Sequence, residues 1–188
     1  MDAFGYISVI FSVVIGLGMS QLLTGMVELV KARRRVKFYW VHLLWVTLTF
    51  TGHIFLWWTM WNLRLLKDWH FFSFLLLLLA PVFLFVAASF LIPKLEPNDY
   101  LDLRHYFIEN KVPFFAVNAA FTLLLGMQNW LLTGHMSPSR VTLFFALWFL
   151  ILCLSAIMKN QRFHAIVAIL ITILFLLFVL LFGLRIRT

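Results

Sequence analysis

Two stretches constrain this chain more than any other feature. FFSFLLLLLAPVFLFVAASFLI (residues 71–92) and FHAIVAILITILFLLFVLLFG (163–183) contain no acidic or basic side chain apart from a single histidine. A helix of about 20 apolar residues crosses the roughly 30 Å hydrocarbon layer of a bilayer, and each stretch is at least that long. Similar runs recur along the chain, giving six spans at approximately 4–30, 38–63, 70–92, 113–133, 140–158 and 163–184. The expected fold is all-α: a polytopic transmembrane bundle forming one integral membrane domain over residues 1–188. Composition agrees, because 64% of residues are hydrophobic and only 12% charged, well below the charge of a soluble domain.

The formal net charge of +8 therefore points to lysines and arginines at membrane edges and not to nucleic acid. Their distribution sets the orientation. Lys31, Arg33, Arg34, Arg35 and Lys37 follow the first span; Lys94, Arg104 and Lys111 follow the third; Lys159 and Arg162 follow the fifth. Only Arg64, Lys67, Arg140, Arg185 and Arg187 lie on the other side. Both termini are thus expected outside, periplasmic or extracellular, with KARRRVK in the cytoplasm. Trp57, Trp58, Trp61, Trp69 and Trp130 fit an outer aromatic belt, with Tyr39 and Trp40 at the inner one. MDAFGYIS has an acidic residue where a signal peptide needs a basic one, so the first span is expected to remain in the mature protein.

Local signals add detail. Pro81 is expected to kink the third span unless a neighbour satisfies the freed carbonyl. In 93–112 (PKLEPNDYLDLRHYFIENKV), Asn98 or Asp99 can cap a short helix, and Tyr100, Leu103 and Phe107 repeat on one face. The expectation is a cytoplasmic interfacial helix at about 99–110. GMSQLLTG in span one is echoed by GMQNWLLTG in span four, a weak sign of a 3+3 inverted repeat.

GLGMSQLLTG, FYWVHLLW and DLRHYF, in that order and spacing, resemble a group of small uncharacterised bacterial polytopic, six-span inner-membrane proteins. The resemblance covers residues 4 to about 115. It implies a bacterial inner-membrane location and carries over no activity and no functional residue.

Polar residues inside spans are the candidates for function, since each is costly in hydrocarbon. In span one Gln21, Thr24, Gly25 and Glu28 share a face, while Ser12, Gly16 and Ser20 form a ridge of small residues suited to close helix packing. In span two the steps of seven and four place His42, Thr49 and His53 on one face, with Val46 and Met60 completing the stripe. In span four Asn118, Thr122 and Asn129 line one face. A polar seam between spans one, two and four is the expectation, from Glu28 and His42 at the inner side to Asn129 at the outer. It comprises Gln21, Glu28, His42, Thr49, His53, Asn118, Thr122 and Asn129. Spans three and six, apolar all round, are expected to meet mostly lipid.

Enzymatic motifs are missing: no Gly-rich phosphate loop, His-Glu-x-x-His, Cys pair or Gly-x-Ser-x-Gly. The single Cys153 permits no internal disulfide. No cofactor and no metal ligand set is expected, although His42 and His164 lie at matching depth for a b-type haem. Asp102 and His105, beside the basic cluster, allow a lipid-phosphate enzyme as another minor reading. Arg33, Arg34, Arg35 and Arg104 are expected to meet anionic lipid headgroups. The leading functional expectation is permeation, by an oligomeric channel or small transporter. The alternative is a non-catalytic scaffold or sensor subunit of a membrane complex, and either reading implies a homo-oligomer or a membrane partner.

Overall fold

The computed structural model describes residues 3–65, 70–96, 100–133 and 139–183. It is all-helical but for one short strand pair. Helix α1 covers Ala3–Lys31, α2 Trp40–Thr59, α3 Phe71–Leu91, α4 Leu103–Thr133, α5 Ser139–Ile157 and α6 Gln161–Phe178. All six carry a stretch long and apolar enough to span a membrane. Lys67, Trp69, Asn98, Asp99, Arg185 and Arg187, named above, lie outside the described residues.

Helix α3 is the centre of the bundle, packing along α1, α2 and α4, while α4 also packs along α5 and α2 against α6. It is the most buried of the six spans, so the expected lipid-facing role for span three is corrected. Its buried positions are Leu77, Ala80, Pro81, Leu84, Ala87, Ala88 and Leu91, which fall on one helical face. Alanines on that stripe let neighbouring helices approach closely, which an all-Leu reading of the segment hides. Pro81 sits inside an unbroken helix, and Gln128 of α4 brings Nε2 to 3.5 Å from the Leu76 carbonyl one turn before it.

A second correction concerns 99–110. Residues from Leu103 onward are not a separate surface helix but the first turns of α4, which runs through Pro113 without a break. Leu103 and Phe107 are buried in the bundle against Tyr39, His42 and His164, whereas Tyr100 is exposed. Their apolar face finds protein, so it has no need of the interface. At 31 residues α4 is about 46 Å long, enough to cross the bilayer and project beyond it.

The projecting end is tied to the rest. Strand β1 (Val36–Lys37) pairs in parallel with β2 (Leu101–Asp102), so the loops after α1 and α3 lie at the same end. Arg35 also accepts the Leu101 N–H at 2.9 Å. The main core lies towards this end and draws on all six helices, from Leu22 and Leu29 to Phe114, Phe115, Leu152 and Ile171. A second core, at the other end, is built from α1, α2 and α3 around Phe11, Ile15, Leu56, Leu77 and Leu84.

Candidate functional site

Helix α1 turns Phe11, Ile15, Gly18, Leu22, Gly25 and Leu29 inward, a heptad spacing with a glycine on each of two successive repeats. Both glycines are contact points. A Cβ built at Gly18 would stand 2.2 Å from His53 Nε2, and one at Gly25 would stand 2.2 Å from Ile92 Cγ2. The ridge Ser12, Gly16 and Ser20 points outward instead: all three are exposed and a Cβ at Gly16 meets nothing within 4 Å. Within the chain the packing ridge is therefore Gly18 and Gly25. The seven-residue spacing of glycines between large apolar residues was the signal for it.

His53 is fully buried, and its Nδ1–H donates to the Thr49 carbonyl at 2.8 Å. Because a carbonyl only accepts, the proton is on Nδ1 and the bare Nε2 lies against the Gly18 backbone. His42, also fully buried, donates Nε2–H to Leu91 O at 2.7 Å, satisfying one of the carbonyls left open at the end of α3. The stripe His42, Val46, Thr49, His53 and Met60 is thus a buried protein-facing surface.

The same use of polar groups recurs around the inner core. Lys111 of α4 is 5% exposed, and its Nζ donates to Ala156 O at 3.1 Å and to Met158 O. These carbonyls end α5, where a positive charge also complements the helix dipole. His164 donates Nε2–H to the same Met158 carbonyl at 2.9 Å and stacks on Phe115. Asp102 caps α4, with Oδ1 accepting the N–H of Arg104 at 2.9 Å and of His105 at 3.4 Å, while Oδ2 pairs with Lys37 at 3.2 Å. Asn160 caps α6 by accepting the Arg162 N–H.

The other residues proposed for a seam are dispersed. Gln21 is half-buried, with Nε2 donating to Ser89 Oγ at 3.1 Å across α1 and α3. Glu28 and Thr24 are exposed. Asn118 donates to Phe114 O at 2.9 Å and Thr122 to Asn118 O at 2.8 Å, both within α4. The side chain of Asn129 lies outside the described residues. Helix α1 makes its main contacts with α2 and α3, and α4 with α3 and α5, so spans one, two and four do not enclose a common path.

Neither minor chemistry is assembled. His42 and His164 both pack edge-on against Phe107, each with Nε2 committed to a backbone carbonyl. The His105 ring faces Glu109 at 3.2 Å, and Asp102 is occupied by its cap and by Lys37. Among the described residues no three His, Cys, Asp or Glu side chains lie close enough to hold a metal ion. Arg33, Arg34 and Arg35 are exposed at the end that holds the strand pair, and the Arg104 guanidinium lies 5.3 Å from the Tyr39 ring centroid.

Among the described residues, four buried side-chain nitrogens have no hydrogen-bond partner: His42 Nδ1, Trp45 Nε1, His53 Nε2 and His164 Nδ1. Three of them are ring lone pairs left over when the other nitrogen bonds a carbonyl. Together these groups define a multi-pass membrane protein whose buried polar residues join and terminate helices. No known protein family, curated protein or solved structure matches the chain.

Proposed function

We propose that the protein is a non-catalytic membrane subunit, a scaffold or sensor that docks other helices within the bilayer. One observation carries this reading: the buried polar side chains of the spans end on backbone carbonyls or a glycine, and half-buried Gln21 on Ser89, and not on a shared wet path. A channel or transporter needs polar groups that face a continuous aqueous route, and the dispersal of Gln21, Glu28, His53 and Asn118 gives permeation less support. Small residues on the outer surface of α1 point the same way, although Ser12 also accepts the Trp57 indole N–H at 3.3 Å. Ser12, Gly16 and Ser20 face outward at four-residue spacing, beside a shallow groove shared with Ile54 and Trp57. Such a face lets a second transmembrane helix approach to backbone contact.

In this reading the protein sits in a bacterial inner membrane with both termini outside, and Arg33, Arg34, Arg35 and Arg104 meet anionic headgroups at the cytoplasmic face. The partner is a second copy or another membrane subunit. Native mass spectrometry of protein released from its own membrane in lipid nanodiscs tests the proposal. Wild-type protein should carry a partner that Gly16→Leu loses, with the unfolding midpoint no lower than in wild type. A monomer in both cases, together with ion or solute flux in liposomes, would return the weight to permeation.

A further inference from the structure

Beyond the inner core, α5 and α6 contribute no buried side chain: none of residues 140–150 or 172–181 is buried. A cavity of about 270 Å³ opens there between α2, α4, α5 and α6. Gly52, Phe55, Thr122, Phe145, Trp148 and Phe178 are among its walls. Part of the wall is prebuilt from rings, with Phe144 stacked on Phe178 at 4.6 Å and Phe55 edge-on to Phe175 and Phe178.

Depth and chemistry choose the occupant. Arg140 stands at the head of α5, and Phe144 and Trp148 follow it by about 6 and 12 Å at helical rise. The cavity is therefore at acyl-chain depth in one leaflet, below a residue placed for a phosphate headgroup. The lining offers almost no free polarity. Thr122 Oγ1 donates to Asn118 O at 2.8 Å and Thr59 Oγ1 to Leu56 O at 2.9 Å, so both hydroxyl protons are committed. Apart from the Trp148 indole N–H and the acceptor lone pairs of the two threonines, the walls give a polar solute nothing to bind. A partner helix is about 10–12 Å across, whereas this volume equals roughly nine waters at about 30 Å³ each. It suits one flexible hydrocarbon chain.

We propose that this cavity is a lipid site that takes one acyl chain of a bilayer phospholipid from the leaflet entered at Arg140. Gly52 keeps it open, because a Cβ there meets nothing within 4 Å and a side chain would project into free space.

The test is photolabelling in nanodiscs containing a phospholipid with a diazirine at mid-chain, with adducts mapped by peptide mass spectrometry. Phe145, Trp148 and Phe178 should label several-fold more than Leu143 and Ile166, which are 71% and 65% exposed and report ordinary surrounding lipid. Gly52→Leu should cut the cavity adducts about tenfold, one decade of affinity, and leave those at Leu143 and Ile166 unchanged. Should Gly52→Leu fail to fold, Thr122→Ile fills the same space from α4 and is judged by the same readout. Cavity labelling no stronger than at Leu143 and Ile166, or labelling that survives the filling variant, overturns the proposal.

Discussion

Two glycines two residues apart in α1 provide a sharp test of where His53 faces. Gly18→Ala and Gly16→Ala make the same chemical change in the same helix, so both gain up to about 1 kcal/mol of helix propensity. They differ in what the new methyl meets. At Gly16 there is nothing within 4 Å; at Gly18 it falls 2.2 Å from His53 Nε2 and 2.9 Å from Cδ2. Carbon contacts are comfortable at about 3.5–4.0 Å, so the ring must retreat by more than 1 Å. It is fully buried and held by its bond to Thr49 O, so the retreat breaks that bond or separates α1 from α2. Overpacking of this kind costs about 1–3 kcal/mol. Because the propensity gain is common to both variants, their difference isolates that cost. Unfolding in mixed micelles should place Gly18→Ala about 1–3 kcal/mol below Gly16→Ala. Repeating the pair in a His53→Ala background should shrink the difference towards zero, since the obstacle is gone. Equal stability of the two glycine variants, or a difference that persists without the imidazole, would refute the contact and reopen a hydrated setting for His53.

Three further outcomes test the inner end. Lys111→Met keeps the apolar stem but removes the donor to Ala156 O and leaves Met158 O to His164 alone, and should lower stability by about 1–3 kcal/mol in the same unfolding assay. The Asp102 carboxyl is held below the usual aspartate range: partial burial raises it, but the Arg104 N–H, the Lys37 ammonium and the His105 N–H outweigh that. A lowered folded pKa means its stabilisation is present above the ordinary aspartate value and lost as pH falls through the lowered one. A melt series should therefore decline at acid pH in wild type and decline less in Asp102→Asn. For orientation, in a Cys153→Ser background, cysteines at 34 and 104 should react only from the cytoplasmic side. Modification of position 34 by an impermeant outside reagent would reverse the assignment.

The six spans were legible because hydrophobic length is a local property of the chain. Which face of each span meets protein was harder to read, for a physical reason. In lipid an apolar residue is equally at home inside or outside the bundle, so hydrophobicity no longer marks the core. Span three illustrates this, being among the most apolar yet the central helix. Its alanine stripe carried the information, as did Gly18 and Gly25 in α1. Ser12, Gly16 and Ser20 obey the same small-residue rule, but only the partner's shape decides which ridge is used at home. The stripe from His42 to His53 was legible from the seven and four spacing. Its neighbours were not, because periodicity fixes a face and says nothing about what stands opposite.

What the polar groups do in this protein follows from how its helices end. A helix leaves four carbonyls unsatisfied at its C-terminus, and burying them without partners is costly. Here α3 ends at Leu91 in the main core, and α5 ends at Ile157 beside it, where the Ala156 and Met158 carbonyls are reached by the buried side chains of Lys111 and His164. His42, Lys111 and His164 supply the donors. Each comes from a different helix than the one it caps, so each cap is also a tertiary link: α2 to α3, α4 to α5, α6 to the end of α5. Removing any of these donors should loosen a helix pair as well as expose a carbonyl. The half that holds the strand pair is thus locked by directional bonds. In the opposite half α5 and α6 bury no side chain over residues 140–150 and 172–181, and this is where the proposed lipid site lies.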